Sequence, residues 1–312
     1  MKILFFTYTF QDYGLDVLYD GLCQALGPEN VFDYPSKDFL HGGAQNTSYP
    51  CFFDCPITKS DPEKIEMLRN GEFDAILVSC RTEKELQDQD FLRILKENNK
   101  KDTSVFIVDQ SDLEGINAEM LSASNAIVYF KREYIVGKKY DSRVVPLSFS
   151  YPEKFVPANI ETERANALFW AGRDYHLRRP YRTAYVRALR EDLGMKIFKY
   201  AQSFYRKKLL RNTIGLSLRG YGYDTVRYWE VPAHGMLLFS ERLNTLIEND
   251  FKDGETAVFF STPEEMKDKL KYLLENKSYV DKIRISGHEW FKKYHTSRAR
   301  AEQVIDKIKS HT

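Results

Sequence analysis

Apolar runs rich in β-branched and aromatic residues alternate with segments of helical period along almost the whole chain, the pattern of a parallel sheet covered by helices. In the first half, strands are predicted over 2–8 (KILFFTY), 30–34 (NVFDY), 73–80 (FDAILVSC), 104–109 (SVFIVD) and 125–130 (NAIVYF). Between them, YGLDVLYDGLCQALG sets Leu15, Leu18, Leu22 and Leu26 on one helical face and stops at Gly27. SDPEKIEMLRNG opens with Ser60 and Glu63 at capping-box spacing, carries Pro62 in its first turn and ends at Gly71. A second box, Thr82 to Glu85, opens TEKELQDQDFLRILKEN.

The pattern breaks over 148–165, where Pro152 and Pro157 punctuate a stretch with no period, as a linker would. Alternation then restarts. Strands are expected at 166–172, 195–200, 213–218, 235–239 and 256–260, with helices at RPYRTAYVRALREDLG, SFYRKKLLRN and TPEEMKDKLKYLLEN and two more to the end. Thr262, Pro263 and Glu265 mark the start of the third. The fold class is α/β: two Rossmann-like, doubly wound domains facing a cleft. An N-terminal domain spans 1–150, a C-terminal domain 151–295, and 296–312 form a terminal helix that packs back on the first domain. Ligands of open parallel sheets bind outside the carboxyl ends of the strands, so the site is expected in the cleft.

A length of 312 residues agrees with two domains. Lys+Arg 46 against Asp+Glu 45 gives net charge +1, so no global basic field exists, and nucleic acid is excluded as a partner on that ground. The N-terminus reads as a first strand followed by Asp12 rather than as a secretory signal, and no apolar run approaches the roughly 18–20 residues of a membrane helix. A cytoplasmic protein is expected, with at most peripheral membrane contact. The basic helix FYRKKLLR (204–211) reads as a solvated face or as a contact to anionic lipid. Cys51 and Cys55 have the look of half a zinc site, but no second Cys or His pair follows at ligand spacing. They and Cys23 and Cys80 are taken as free thiols, with no metal.

The chemistry concentrates in LSLRGYGYDTVRYWEVPAHGMLLF (216–239). Neither half carries the dinucleotide G-x-G-x-x-G or the G-x-x-x-x-G-K-[ST] loop after its first strand, so a different phosphate site is needed. A strand here runs into a loop with Gly220 and Gly222, which permit backbone conformations and approaches that a Cβ would block. A helix follows with Asp224 or Thr225 as N-cap, and its free N–H groups attract an anion. Arg219 and Arg227 add guanidinium contacts to a diphosphate, and Tyr223 with the other aromatics walls the pocket. Glu230, three residues after Arg227, shares its face and suits two ribose hydroxyls. Pro232 ends or bends the helix soon after.

The segment R-x-x-E-x-P-A-x-G, Arg227 to Gly235 (RYWEVPAHG), resembles the donor-site segment of GT-B glycosyltransferases, especially the spore-maturation CgeB-like group. The stretch 254–305 resembles the closing pattern of that group, with Gly287, His295, Thr296 and Arg298 or Arg300 as matches, and YDGLCQALG (19–27) is similar to its first helix. The resemblance implies a nucleotide-sugar donor bound by the C-terminal domain, an acceptor bound by the N-terminal domain, and transfer without a required metal or other cofactor. It implies that Glu230 holds the ribose, that Arg219, Thr225 and Arg227 lie near the diphosphate, and that Arg173 and Arg179 approach the donor phosphates. One departure stands out: many relatives have a second Glu eight positions before the ribose Glu, and this chain has Gly222. Retention is therefore not assigned. Inversion requires a base in the first half, for which Asp109, with Asp12 and Asp112, stands at a strand end. The lone His41 and His234 read as packing residues before ligand contacts. The expected function is transfer of a sugar from a nucleotide-diphosphate sugar to a glycan, protein or small-molecule acceptor. A nucleotide-sugar epimerase and a catalytically inactive nucleotide- or glycan-binding module are the alternatives.

Overall fold

The computed structural model of the protein describes residues 1–43, 53–81, 85–160, 163–171, 180–195 and 202–311. Its contacts divide into two units: Met1–Lys154 with Thr245–Glu248 and Thr296–Thr312, and Phe155–Asn244 with Asn249–His295. The first carries strands β1 (Ile3–Phe6), β2 (Val31–Tyr34), β3 (Ala75–Ser79), β4 (Val105–Asp109), β5 (Val128–Lys131) and β6 (Val144–Pro146). They form one sheet in the order β2-β1-β3-β4-β5-β6, parallel at every pairing. Helices α1 (Tyr13–Leu26), α2 (Asp61–Asn70), α3 (Glu85–Asn98) and α4 (Ala118–Ala123) make the crossovers. Strands covered by helices on both faces are buried throughout, which is why β1, β3, β4 and β5 read as unbroken apolar runs.

The second unit carries β7 (Ala165–Phe169), α5 (Pro180–Arg187), α6 (Gln202–Arg211), β8 (Asn212–Ser217), α7 (Val226–Ala233), β9 (Leu237–Glu241), β10 (Val258–Phe260), α8 (Pro263–Glu275) and α9 (Lys277–Tyr294). Its sheet runs β10-β9-β8-β7, again all parallel. Ile214, Leu216, Leu237, Phe239 and Phe260 from the sheet pack with Met266, Leu270 and Ile283 from α8 and α9 into one core. The α/β class with two Rossmann-like units is the architecture expected.

Local signals act as written. Ser60 and Glu63 form both bonds of a capping box, and Gly27 and Gly71 end α1 and α2 at positive φ. Thr262 accepts from the Glu265 amide at 3.1 Å, while the Glu265 carboxylate reaches back to Ser261 N instead of Thr262 N. The edge strand β6 was not anticipated; it is three residues long and ends in a proline that a sheet edge tolerates. The strand expected at 195–200, apart from Met195, and the cap expected at Thr82 fall outside the described residues.

The last helix, α10 (Ser297–Lys309), packs along α1 within the first unit. The approach is close at Gly21, where a Cβ would sit 2.1 Å from the Ser297 carbonyl oxygen. Ser297 donates its amide to Tyr151 O at 2.9 Å and its hydroxyl to Asp20 at 3.3 Å. The closing sequence pattern is thereby explained as structure. Gly287 lets α9 pass within contact of Thr256, His295 is buried against Trp229 with 4.9 Å between ring centroids, Thr296 caps α10, and Arg300 is buried.

Candidate functional site

Strand β8 is buried along its length and lies between β7 and β9, so the chain leaves the sheet at an interior position before the loop 218–225. The loop is short and tied at both ends. Arg182 of α5 donates to the carbonyls of Leu218, at 2.9 Å, and of Arg219, and Gly220 N donates to Gly222 O at 2.9 Å. Neither Gly220 nor Gly222 has a positive φ, so handedness is not why glycine stands there. At Gly220 the reason is space: a Cβ would lie 3.2 Å from the Thr225 methyl.

Thr225 is the N-cap of α7, with an extended backbone and no side-chain capping bond; its hydroxyl lies 3.4 Å from that of Ser217. The Thr225 carbonyl takes the Tyr228 amide at 2.9 Å, but the Thr225 hydroxyl caps no amide, so the earlier first-turn amides of α7 are left without a side-chain cap. Asp224, the other candidate cap, is turned inward, where its carboxylate accepts from the indole of Trp229 at 3.2 Å. Pro232 cannot donate to the helical ladder, and α7 ends one residue later at Ala233.

Glu230 is 3% exposed and its Oε2 accepts from the hydroxyl of Tyr205 on α6. Burial, and then the charge of Glu230, push the Tyr205 hydroxyl well above its ordinary pKa, with Arg227 acting in the opposite sense. The Tyr205 proton therefore stays in place and fixes the carboxylate. The Nε of Arg227 is buried without a hydrogen-bond partner among the described residues. Arg219 is an ion-paired residue: its Nε lies 3.7 Å from Glu241, its amide donates to the same carboxylate at 3.3 Å, and its guanidinium stands 5.5 Å from the centre of the Tyr223 ring. Burial raises the Glu241 pKa and the Arg219 contacts draw it back.

Several expected roles change on this geometry. Tyr228 and Trp229 do not wall a pocket; both are fully buried, Tyr228 donating to Asp250 at 2.7 Å and Trp229 lying against Phe251 and His295. Tyr221 is exposed. His234 caps the C-terminal end of α7, its Nδ1 2.9 Å from the Glu230 carbonyl, and burial depresses its pKa to about 4. His288 of α9 holds the Pro232 carbonyl at 2.8 Å. In the first unit Asp109 is buried at the end of β4. It accepts from Lys131 at 2.8 Å, Tyr129 at 2.7 Å and Ser111 N at 2.9 Å. Asp12 caps α1 and faces Arg81 at 3.1 Å, and Asp112 is bonded by Arg132. Arg173 and Arg179 lie outside the described residues.

Tyr205, Arg182 and Glu241 complete the site without having been singled out in the sequence. Tyr205 is 25 residues from Glu230 and sits in a run of basic residues, so only its hydrogen bond reveals it. Among the described residues no three His, Cys, Asp or Glu side chains gather as a metal site, and no helix is long and apolar enough to cross a membrane.

Residues 198–306, which take in α6 and run into α10, match the model of a family described as glycosyl transferase-like. No curated protein matches the chain. Among solved structures, an alpha-glucosyltransferase in complex with UDP-glucose and DNA containing an abasic site superposes with TM-score 0.62 at 12% identity, over 99% of both chains. Anabaena Alr3699/HepE in complex with UDP-glucose gives 0.61 at 9%, over 99% of this chain and 100% of that one. A glycosyltransferase from Rickettsia africae ESF-5 gives 0.58 at 11%, over 99% and 98%. Because similar structures were solved with DNA bound, the exclusion of nucleic acid drawn from net charge does not stand. A sum of 46 cations and 45 anions averages away local patches, which are what a phosphate backbone meets. The fold is that of the GT-B glycosyltransferases, and with the match over 198–306 it supports a glycosyltransferase.

Proposed function

We propose that the chain transfers a sugar from a nucleoside-diphosphate sugar, bound at the β8–α7 junction, to a glycan, protein or small-molecule acceptor. The observation that carries this reading is Glu230: a buried carboxylate five residues past the N-cap of α7, oriented by Tyr205, with Arg227 one turn before it. Two ribose hydroxyls donate to Glu230. The diphosphate lies against the first amides of α7 and the Thr225 hydroxyl, with Arg227 as its cation. Gly220 keeps the loop close, Arg219 and Tyr223 border the phosphates, and Asp224 acts indirectly by holding Trp229. Arg173 and Arg179 are assigned to the donor phosphates on sequence position alone.

When the bond between the anomeric carbon and the diphosphate breaks, negative charge grows on the leaving oxygen. Helix amides and arginines already in place stabilise that charge without a metal. The RYWEVPAHG segment supports kinship with the CgeB-like group. UDP is the first nucleotide to try, because neighbouring folds were solved with UDP-glucose, and a DNA duplex belongs among the acceptors assayed.

The test is thermal shift with UDP, GDP, dTDP, ADP and CMP, with and without Mg, on the wild type and Glu230→Ala. One diphosphate raises the melting temperature, since a ligand that binds only the native state stabilises it. The variant loses that response. A flat response to every nucleotide in both conditions rules the donor site out. Release of UDP from UDP-glucose in the presence of an acceptor then separates a transferase from an inactive binding module.

A further inference from the structure

We propose that the outward face of α6 is a docking surface for anionic lipid headgroups. The inner side of this helix is accounted for: Leu209 is buried and Tyr205 reaches Glu230. The outer side is unusual for this protein. Phe204 is 62% exposed and Leu210 40%, and Arg206, Lys207, Lys208 and Arg211 are all exposed. On other helices several surface cations are laced to carboxylates one turn away: Arg93 to Glu97, Lys277 to Asp281, Lys292 to Glu289, Arg298 to Glu302. The sequence QSFYRKKLLR holds no acid, and none of its four cations has an ion-pair partner among the described residues. Among the described residues, their ring contacts are Lys207 over Phe204 and Arg206 over Phe155, each at 5.7 Å.

At 3.6 residues per turn, Phe204, Lys207 and Arg211 fall within a stripe about 60° wide, with Leu210 on one flank. That arrangement fits a bilayer interface. Phenylalanine and leucine enter the boundary between headgroups and acyl chains while the long cationic side chains reach up to the phosphates. A nucleic-acid backbone would use the cations but has no place for Leu210. Residues 204–211 also hold no Asn or Gln to read adenine, so a nucleic acid would be met through the cations alone. The lipid reading accordingly uses both exposed apolar residues of the helix together with Lys207, Lys208 and Arg211. It does not depend on the donor site, since vesicle binding needs no nucleotide.

The experiment is co-sedimentation of the full chain with sucrose-loaded vesicles of phosphatidylcholine alone or mixed with phosphatidylglycerol. The expected result is a partition coefficient about tenfold higher on the anionic vesicles, falling as salt is added. Lys207→Glu combined with Arg211→Glu lowers it by roughly tenfold or more, and Phe204→Ser by several-fold. Both variants must melt like the wild type, which the exposed positions allow. Equal binding to both vesicles, no binding to either, or unchanged binding by the charge-reversed variant overturns the proposal. So does a DNA duplex that binds through the same two cations while the vesicles do not.

Discussion

The two units favour different partners for their buried carboxylates. In the first, cations hold them: Asp16 with Lys37 at 2.6 Å, Asp33 with Lys64 at 3.2 Å, Asp109 with Lys131 at 2.8 Å, Glu133 with Arg132 at 2.8 Å. Around α7 in the second, aromatic side chains donate to them: Trp229 to Asp224, Tyr205 to Glu230, Tyr228 to Asp250. A carboxylate paired with a buried ammonium is neutralised and rigid, and it ties one element of the scaffold to the next. One oriented by a neutral hydroxyl keeps its charge and leaves its remaining lone pairs open to a ligand's donors. The second arrangement suits a site that must meet polyhydroxylated and anionic ligands, and the first suits a scaffold.

The sharpest way to break this contrast is Lys131→Met. Removing the ammonium leaves Asp109 buried and uncompensated, and the expected loss is about 3–5 kcal/mol, read as accelerated amide exchange in the first unit. A loss below about 1 kcal/mol would mean that Asp109 is held mainly by Tyr129 and Ser111, and that the units do not differ as stated.

Acidification separates the units next. His234 in the second unit has its pKa depressed by burial to about 4. Its neutral form is built into the fold, so stability is lost as pH falls below 6.5, where the unfolded chain takes up a proton that the folded chain refuses. By pH 5 the loss is roughly 2 kcal/mol. His41 in the first unit is opposite in sign. Burial lowers its pKa, but its bond to Asp33 at 3.1 Å and the charge of that carboxylate raise it on balance. That pair adds stability below 6.5, lost as pH rises through the raised value. Asp33 is itself held below its ordinary value despite burial, by His41 and Lys64, so the gain persists until that lower range is reached. All three tryptophans, Trp170, Trp229 and Trp290, lie in the second unit, so tryptophan fluorescence follows it alone. Its melting midpoint should drop between pH 7 and pH 5; a constant midpoint would show that His234 protonates without opposing the fold.

Tyr205→Phe tests the aromatic donor. The expected cost is about 1.5–3 kcal/mol for a hydrogen bond to a charged group, read on the same fluorescence melt, together with a weakened response to the nucleotide proposed to bind at Glu230. Unchanged affinity would show that Glu230 is positioned without its tyrosine. The smallest effect belongs to a site shared by neither scheme: Ser60→Ala removes the α2 cap and costs about 1 kcal/mol, measurable by denaturant titration.

Much of the scaffold was legible because its causes are local. Short apolar runs such as ILFF and FIV, rich in β-branched and aromatic residues, suit strands covered on both faces, and Ser60–Glu63, Gly27 and Gly71 carry their own start and stop chemistry. The edge strand β6 gave no such sign, since three residues ending in proline have neither period nor length. In the candidate site, the strand, glycine loop and helix were visible in order. The direction of each side chain was not: Asp224 faces the indole five residues on, and Arg219 faces Glu241 on the next strand.

The sequence alone determined the α/β alternation, the helix caps, and the gathering of arginines, glycines and one glutamate where a central strand meets a short helix, because these depend on residues a few positions apart. Tertiary structure decided which charges cancel. Glu230 meets Tyr205 across 25 residues, Arg219 meets Glu241 across 22, and Tyr228 and Trp229 leave the site for the core. Those partners are set by how β8, β9, α6 and α7 pack. Packing brings together groups whose separation along the chain carries no periodic trace.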